Sequence, residues 1–131
     1  MLTGGQRNDC TQLVAVLEGI RVPRGGSGRP RTRPAHLIAD KGYSSRAIRA
    51  YLRRRRIAHT IPERADQLAG RAKRGETRCA FDPARYRRRN VVERCFNRLK
   101  GFRGVATRYD KRADHYRATV VIASLTLWLN P

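Results

Sequence analysis

The sequence predicts an α/β fold: short parallel strands with flanking helices. Two apolar runs and the segment between them lead there. His36 to Ala39 is brief, apolar and bounded by Pro34 before it and the Lys41-Gly42 turn after it, the pattern of a buried strand. Ile57 to Ile61 is a second such run, stopped by Pro62. Between them, Ser44 or Ser45 caps a helix reaching about Arg56, with Ile48, Tyr51 and Leu52 as its apolar face. The order strand–helix–strand implies a right-handed parallel crossover.

The flanking segments follow the same logic. Residues 9–20 read as a short amphipathic helix, with Asp9 as cap, Gln12 completing a loose capping box, and Leu13, Leu17 and Ile20 as the apolar stripe. Residues 21–34 are rich in Pro, Gly and Arg and read as a basic, mobile loop. Residues 63–82 read as a basic surface segment without a core face. A strong helix is expected from Pro83 to Lys100, ended by Gly101 and Gly104. Asp110 to Asp114 is a polar turn before a second apolar helix, His115 to Leu129, which offers Val121, Ile122, Leu125, Trp128 and Leu129 for burial.

The chain of 131 residues suits one domain and is a tight fit for a complete nuclease-type α/β domain. Its thirty Lys and Arg stand against ten Asp and Glu, a formal charge of +20. Lys41, Lys73, Lys100 and Lys111 are the only lysines, so the positive charge is overwhelmingly Arg, whose planar fork grips phosphate with two hydrogen bonds. Codon usage can favour Arg over Lys, but it does not remove acids, so a polyanionic partner is the expectation. Cys10, Cys79 and Cys95 have neither zinc-ligand nor disulfide-framework spacing, which fits a reducing cytoplasm. Met1 to Ile20 lacks the form of a signal peptide, and Thr119 to Leu129 is too short to span a bilayer.

On the expected 83–100 helix, at about 100° per residue, Val92, Cys95, Phe96 and Leu99 fall in one arc, a core face. Tyr86, Arg89, Glu93 and Lys100 fall together in another arc. Glu93 is the only acid from Pro83 to Lys100. Such an acid can simply pair with Arg89 or Arg94, since residues three or four apart meet on a helix. Asp40 likewise has two readings: a carboxylate held at a strand end, or the first residue of a turn.

The spacing Y-x2-R-x3-E-x6-K formed by Tyr86, Arg89, Glu93 and Lys100 resembles the signature of insertion-sequence transposases of the DDE superfamily. The stretch YRRRNVVERCFNRLKGFRGVATRYDKRADHY is similar to the C-terminal region of that family, particularly the fifth insertion-sequence group. IADKGYSSRAIRAYLRRRRI resembles the segment around the second catalytic Asp, and IPERADQ also matches family wording. LTGGQRND, residues 2–9, resembles the stretch just after the third strand.

The resemblance implies a ribonuclease-H-like (integrase-like) fold and phosphoryl transfer on DNA. Asp40 and Glu93 would be catalytic metal ligands, with Tyr86, Arg89 and Lys100 contacting DNA. The implied cofactor is Mg²⁺ or Mn²⁺, in a two-metal site only in the complete enzyme. The implied partners are transposon-end and target DNA, a missing N-terminal half or a full-length transposase, and a second copy in a dimer. The location would be the bacterial cytoplasm, at the nucleoid. The family's first catalytic Asp lies upstream of the LTGGQ-like stretch, and Asp9 does not match its position. Residues 1–131 are therefore expected to be one incomplete catalytic domain, without its first strands and N-terminal DNA-binding region, inactive alone, and marginal, aggregation-prone or folded around a reduced core. The competing readings are a non-enzymatic basic nucleic-acid-binding protein, whose carboxylates pair with Arg, and a regulatory fragment of a transposase.

Overall fold

The structure, a computed structural model, describes residues 8–77 and 79–130. Most of the LTGGQRND stretch, residues 2–7, lies outside the described residues. The chain divides into two compact units, one over Gly5–Arg87 and the other built on Arg88–Pro131.

In the first unit a 3₁₀ turn, Asp9–Gln12, leads into α1, Leu13–Glu18. The cap is Asn8 rather than the expected Asp9: the Asn8 side chain accepts from the Cys10 N–H, one residue earlier than the sequence suggests. The Pro- and Gly-rich loop that follows is pinched by an antiparallel bridge between Val22 and Arg31. Its far end is tied by the Arg33 guanidinium, which donates to the Arg55 carbonyl, and by that of Arg55, which donates to the Thr32 carbonyl.

Strand β1, His36–Ile38, pairs in parallel with β2, Ala58–Thr60, in the register His36↔Ala58, Leu37↔His59, Ile38↔Thr60. The strands are joined through α2, Arg46–Arg54, so the predicted strand–helix–strand order is observed. Ser45 caps α2 by accepting from the Ile48 N–H at 3.1 Å. The helix ends with Arg56 at φ 52°, its N–H on the Arg53 carbonyl and the Ile57 N–H on the Leu52 carbonyl. This is the Schellman arrangement, with Arg in the position that usually takes Gly. Its apolar contact is made by Ile57 and Leu52, both buried.

The core of this unit is Leu17, Ala39, Ile48, Tyr51, Leu52, Ile57 and Ile61, with Leu13, Ile20, Leu37 and Tyr43 packed against it. The apolar faces expected for α1 and α2 are thus the faces that pack. None of the described residues of 63–82 enters this core, as expected of a surface segment, but the segment is more ordered than a plain surface stretch. It forms α3, Ala65–Lys73, and fixes Glu63 in a nearly buried position, its side chain 7% exposed.

The second unit contains α5, Asn90–Lys100, α6, Arg103–Thr107, and α7, Ala113–Leu129, packed on one another. Gly104 permits a close approach, since a Cβ there would lie 3.2 Å from the Thr119 methyl. The Tyr116 hydroxyl donates to the Val105 carbonyl and the Arg98 guanidinium to the Asn130 carbonyl, at 3.1 and 2.8 Å. Ala123 is buried, but the residues expected to bury themselves do not: Val92, Phe96, Val121, Ile122, Leu125, Trp128 and Leu129 are all exposed. Among the described residues no helix is long and apolar enough to cross a membrane.

Candidate active site

Asp40 stands at the end of β1. The Ala39 N–H still donates to the Thr60 carbonyl at 3.3 Å, so the ladder reaches the residue before it. Its backbone is extended, and its Oδ1 accepts from the Gly42 N–H at 2.8 Å, capping the 3₁₀ turn Lys41–Tyr43. The two sequence readings of Asp40 therefore coexist: the strand presents it, and the turn orients its carboxylate. Burial pushes the Tyr43 phenol above its ordinary range, and the charges of Asp9 and Asp40 push it the same way.

Gly42 is needed for this orientation. A Cβ there would lie 2.9 Å from the Asp40 Oδ1, inside contact distance. Gly42→Ala is expected to rotate the carboxylate away and lose the Gly42 N–H bond. The stability cost should be only about 1 kcal/mol, one hydrogen bond. Urea unfolding beside a structure of the variant checks this; an Asp40 carboxylate left in place would refute it.

The region carrying the remaining candidates is not one helix. Pro83–Arg87 forms α4, and α5 starts afresh at Asn90. Across the join, the Val91 and Val92 N–H groups donate to the carbonyls three residues back, those of Arg88 and Arg89. Asp82 starts α4, its Oδ1 accepting from both the Arg85 and the Ala84 N–H at 3.0 Å. Those bonds, the one from Arg85 foremost, hold its carboxyl below the usual range. The Arg85 guanidinium also approaches the His36 Nδ1 at 3.3 Å. Burial, then the Arg85 charge, lowers the His36 pKa.

The shared stripe is corrected accordingly. Tyr86 sits on α4, half-buried, its ring 5.3 Å from that of Phe81. Arg89, Glu93 and Lys100 belong to α5, Arg89 as its cap residue. Glu93 pairs with Arg89 at 2.5 Å and is half exposed. The pairing anticipated as the plain explanation of this acid is therefore present. Lys100 is exposed in the last turn of α5.

Asp40 and Glu93 are oxygen donors of the kind a hard divalent cation takes. Among the described residues, however, no three of His, Cys, Asp and Glu gather as a ligand set. Sequence reasoning also passed over a polar cluster in the first unit. Glu63 accepts from the Arg71 guanidinium at 3.0 Å and the Cys79 N–H at 3.3 Å. Burial alone would raise the Glu63 pKa, but these two donors outweigh it and hold the carboxyl below its ordinary range. Arg49 is buried as well.

A family model described as a transposase DDE domain matches residues 1–128. The chain belongs to the DDE transposase family. The domain of that family is ribonuclease-H-like in general, an α/β plan with which the short parallel pair and its helices agree. The family generally uses a divalent metal and acts on DNA. The chain is 36% identical, over 118 residues, to a Burkholderia cepacia protein provisionally named as the transposase of insertion sequence element IS402. That similarity covers 90% of this chain and 50% of the relative, so the chain spans about half the relative's length. It is 29% identical over 130 residues to the protein provisionally named for element IS6501 of Brucella ovis, covering 97% of this chain and 84% of the relative. No solved structure matches it.

Proposed function

We propose that this chain serves DNA transposition, contributing Asp40 and Glu93 as metal-ligating carboxylates of a DDE catalytic centre. The observation that carries the reading is the family match over residues 1–128, within which Asp40 occupies a strand end with its carboxylate fixed by a turn. Asp40 and Glu93 would each hold Mg²⁺ or Mn²⁺, which when bound activates the attacking oxygen and stabilises the leaving one. The protein's own part is to position the carboxylates. Gly42 sets the direction of Asp40, and Arg89 keeps Glu93 neutralised until a cation competes for it. Arg89 and Lys100, cations on α5, are assigned to backbone phosphates of the element end, and Tyr86 to its bases. Pairing two ends calls for a dimer on target DNA, working at the bacterial nucleoid.

The test is excision of a marker flanked by the DNA that borders the gene, in cells where this chain is joined to or supplied with the N-terminal half of a transposase. Asp40→Ala and Glu93→Ala are each expected to reduce excision on the order of a thousandfold, the loss of several kcal/mol of charge stabilisation. Their DNA affinity should not fall, since both substitutions remove negative charge. The Arg89–Glu93 pair favours a second reading, a non-enzymatic DNA-binding protein. Undiminished excision by Glu93→Ala would support that reading of Glu93 and remove it from the site.

A further inference from the structure

The first unit contains a cavity of about 740 Å³ between α2 and α3, whose lining includes Arg46, Arg49, Arg53, Arg71 and Arg74. Its charges are unevenly matched. On the α3 side, Arg71 is paired with Glu63 and Glu76, and Arg74 with Glu76. The remaining acid of the lining, Asp66, is taken by Arg64. On the α2 side, no ion pair to Arg46, Arg49 or Arg53 forms among the described residues. These three are spaced three and four residues apart, so they share one helix face.

Arg49 is the informative member. It is 6% exposed, and one of its terminal nitrogens donates to the Ser44 Oγ at 2.9 Å and the Ile61 carbonyl at 2.8 Å. Ser44 is itself buried, held by Gln67, whose amide accepts from the Ser44 hydroxyl at 2.7 Å and donates to its carbonyl. The guanidinium is therefore fixed in place by neutral acceptors, although a buried cation without a counter-charge is costly. No side-chain nitrogen among the described residues is both buried and unbonded, so the donors of Arg49, a lining residue, that are not spent on Ser44 and Ile61 are open to solvent. This is a preformed seat for an anion with oxygen acceptors.

We propose that this cavity binds the phosphodiester backbone of DNA, Arg49 forming its floor and Arg46 and Arg53 its rim. The spacing favours a strand over a free phosphate. Arg46 to Arg53 spans two helical turns, about 10 Å, roughly three times the 3.4 Å axial rise per phosphate of a strand. The inference rests on the DNA reading above and adds a location for the strand that Asp40 and Glu93 do not specify.

The test compares the double variant R46A/R53A with R54A/R87A, which removes the same charge from exposed positions outside the cavity. Both keep Arg49, because its guanidinium also supports the Ile61 carbonyl. Duplex DNA affinity is measured across salt concentrations. R46A/R53A is expected to flatten the log–log salt slope by about 1.8, two phosphate contacts at about 0.9 each, and R54A/R87A to change it by less than half of that. Equal slopes for the two variants would overturn the proposal. A second arm uses inorganic phosphate against chloride at matched ionic strength, read by thermal shift. A phosphate-specific shift abolished in R46A/R53A, with the DNA slope unchanged, would mark a free-anion site and also overturn it. These readouts involve binding alone. Failure here leaves the excision test of Asp40 and Glu93 standing, and failure there leaves this one.

Discussion

Leu52→Ala is expected to destabilise the first unit by about 3 kcal/mol, in the range for a fully enclosed leucine replaced by alanine. Leu52 has no exposed surface and sits where α2 faces the core. Its carbonyl also closes the helix C-terminus by accepting from Ile57. Truncation leaves a void beside Ile61, which is 1% exposed, while that backbone bond survives. A unit with a two-stranded sheet has little reserve, since small folds bury a small share of their surface. The comparison is Phe96→Ala on α5. Phe96 is 58% exposed, so the change should fall within about 0.5 kcal/mol of zero. Hydrogen exchange of the β1 and β2 amides measures the first, and exchange on α5 the second. Equal losses in both would contradict the burial assigned to each.

Arg71→Met is expected to cost roughly 3 kcal/mol at neutral pH, because it strands a nearly buried carboxylate. The Glu63 side chain is 7% exposed and that of Arg71 27%, so solvent screens the pair weakly. The sign of the pH dependence follows from the lowered Glu63 pKa. A depressed carboxylate stabilises the fold above its unfolded pKa of about 4.3, and that contribution disappears as the pH falls through the folded value. Without Arg71, only the Cys79 bonds oppose burial, and the Glu63 pKa should rise from its lowered value. The gap between the wild-type and variant proteins should then be widest near pH 7, narrow as the pH falls, and close only below the lowered Glu63 pKa of the wild-type fold, where Glu63 is protonated in both. The double variant E63Q/R71M should be the milder one, because no charge is left unpaired. Urea unfolding at several pH values tests this; a gap independent of pH would refute the buried-pair account.

The parts that were legible in the sequence were those fixed by local pattern. Ile48, Tyr51 and Leu52 recur at helical spacing, and they form the α2 side of the core. The two apolar runs bounded by prolines and a turn gave the parallel strands within a residue or so of their ends. Asp40 was legible as a strand-end acid because strand and turn adjoin it in sequence. The Glu63–Arg71–Cys79 cluster was not, since residues eight and sixteen apart meet only through the path of the chain. The 63–82 segment looked featureless because its one buried acid carries no periodicity. In α5 the apolar arc was read correctly as an arc and wrongly as buried. A helical period identifies a face but not whether anything covers it, and Val92 and Phe96 are 51% and 58% exposed. The expected single helix from Pro83 is interrupted at Arg88 and Arg89, a break that helical periodicity does not signal.

The exposure of Trp128 has a spectroscopic consequence. It is the chain's sole tryptophan, it is 79% exposed, and it lies on α7 in the second unit. Indole emission should accordingly sit near its water-exposed maximum in the folded chain and shift little on denaturation. A tryptophan-detected melt would miss the loss of the core around Leu52. The chromophores that report on that core are Tyr43 and Tyr51, so near-ultraviolet dichroism or tyrosine emission is the signal to follow.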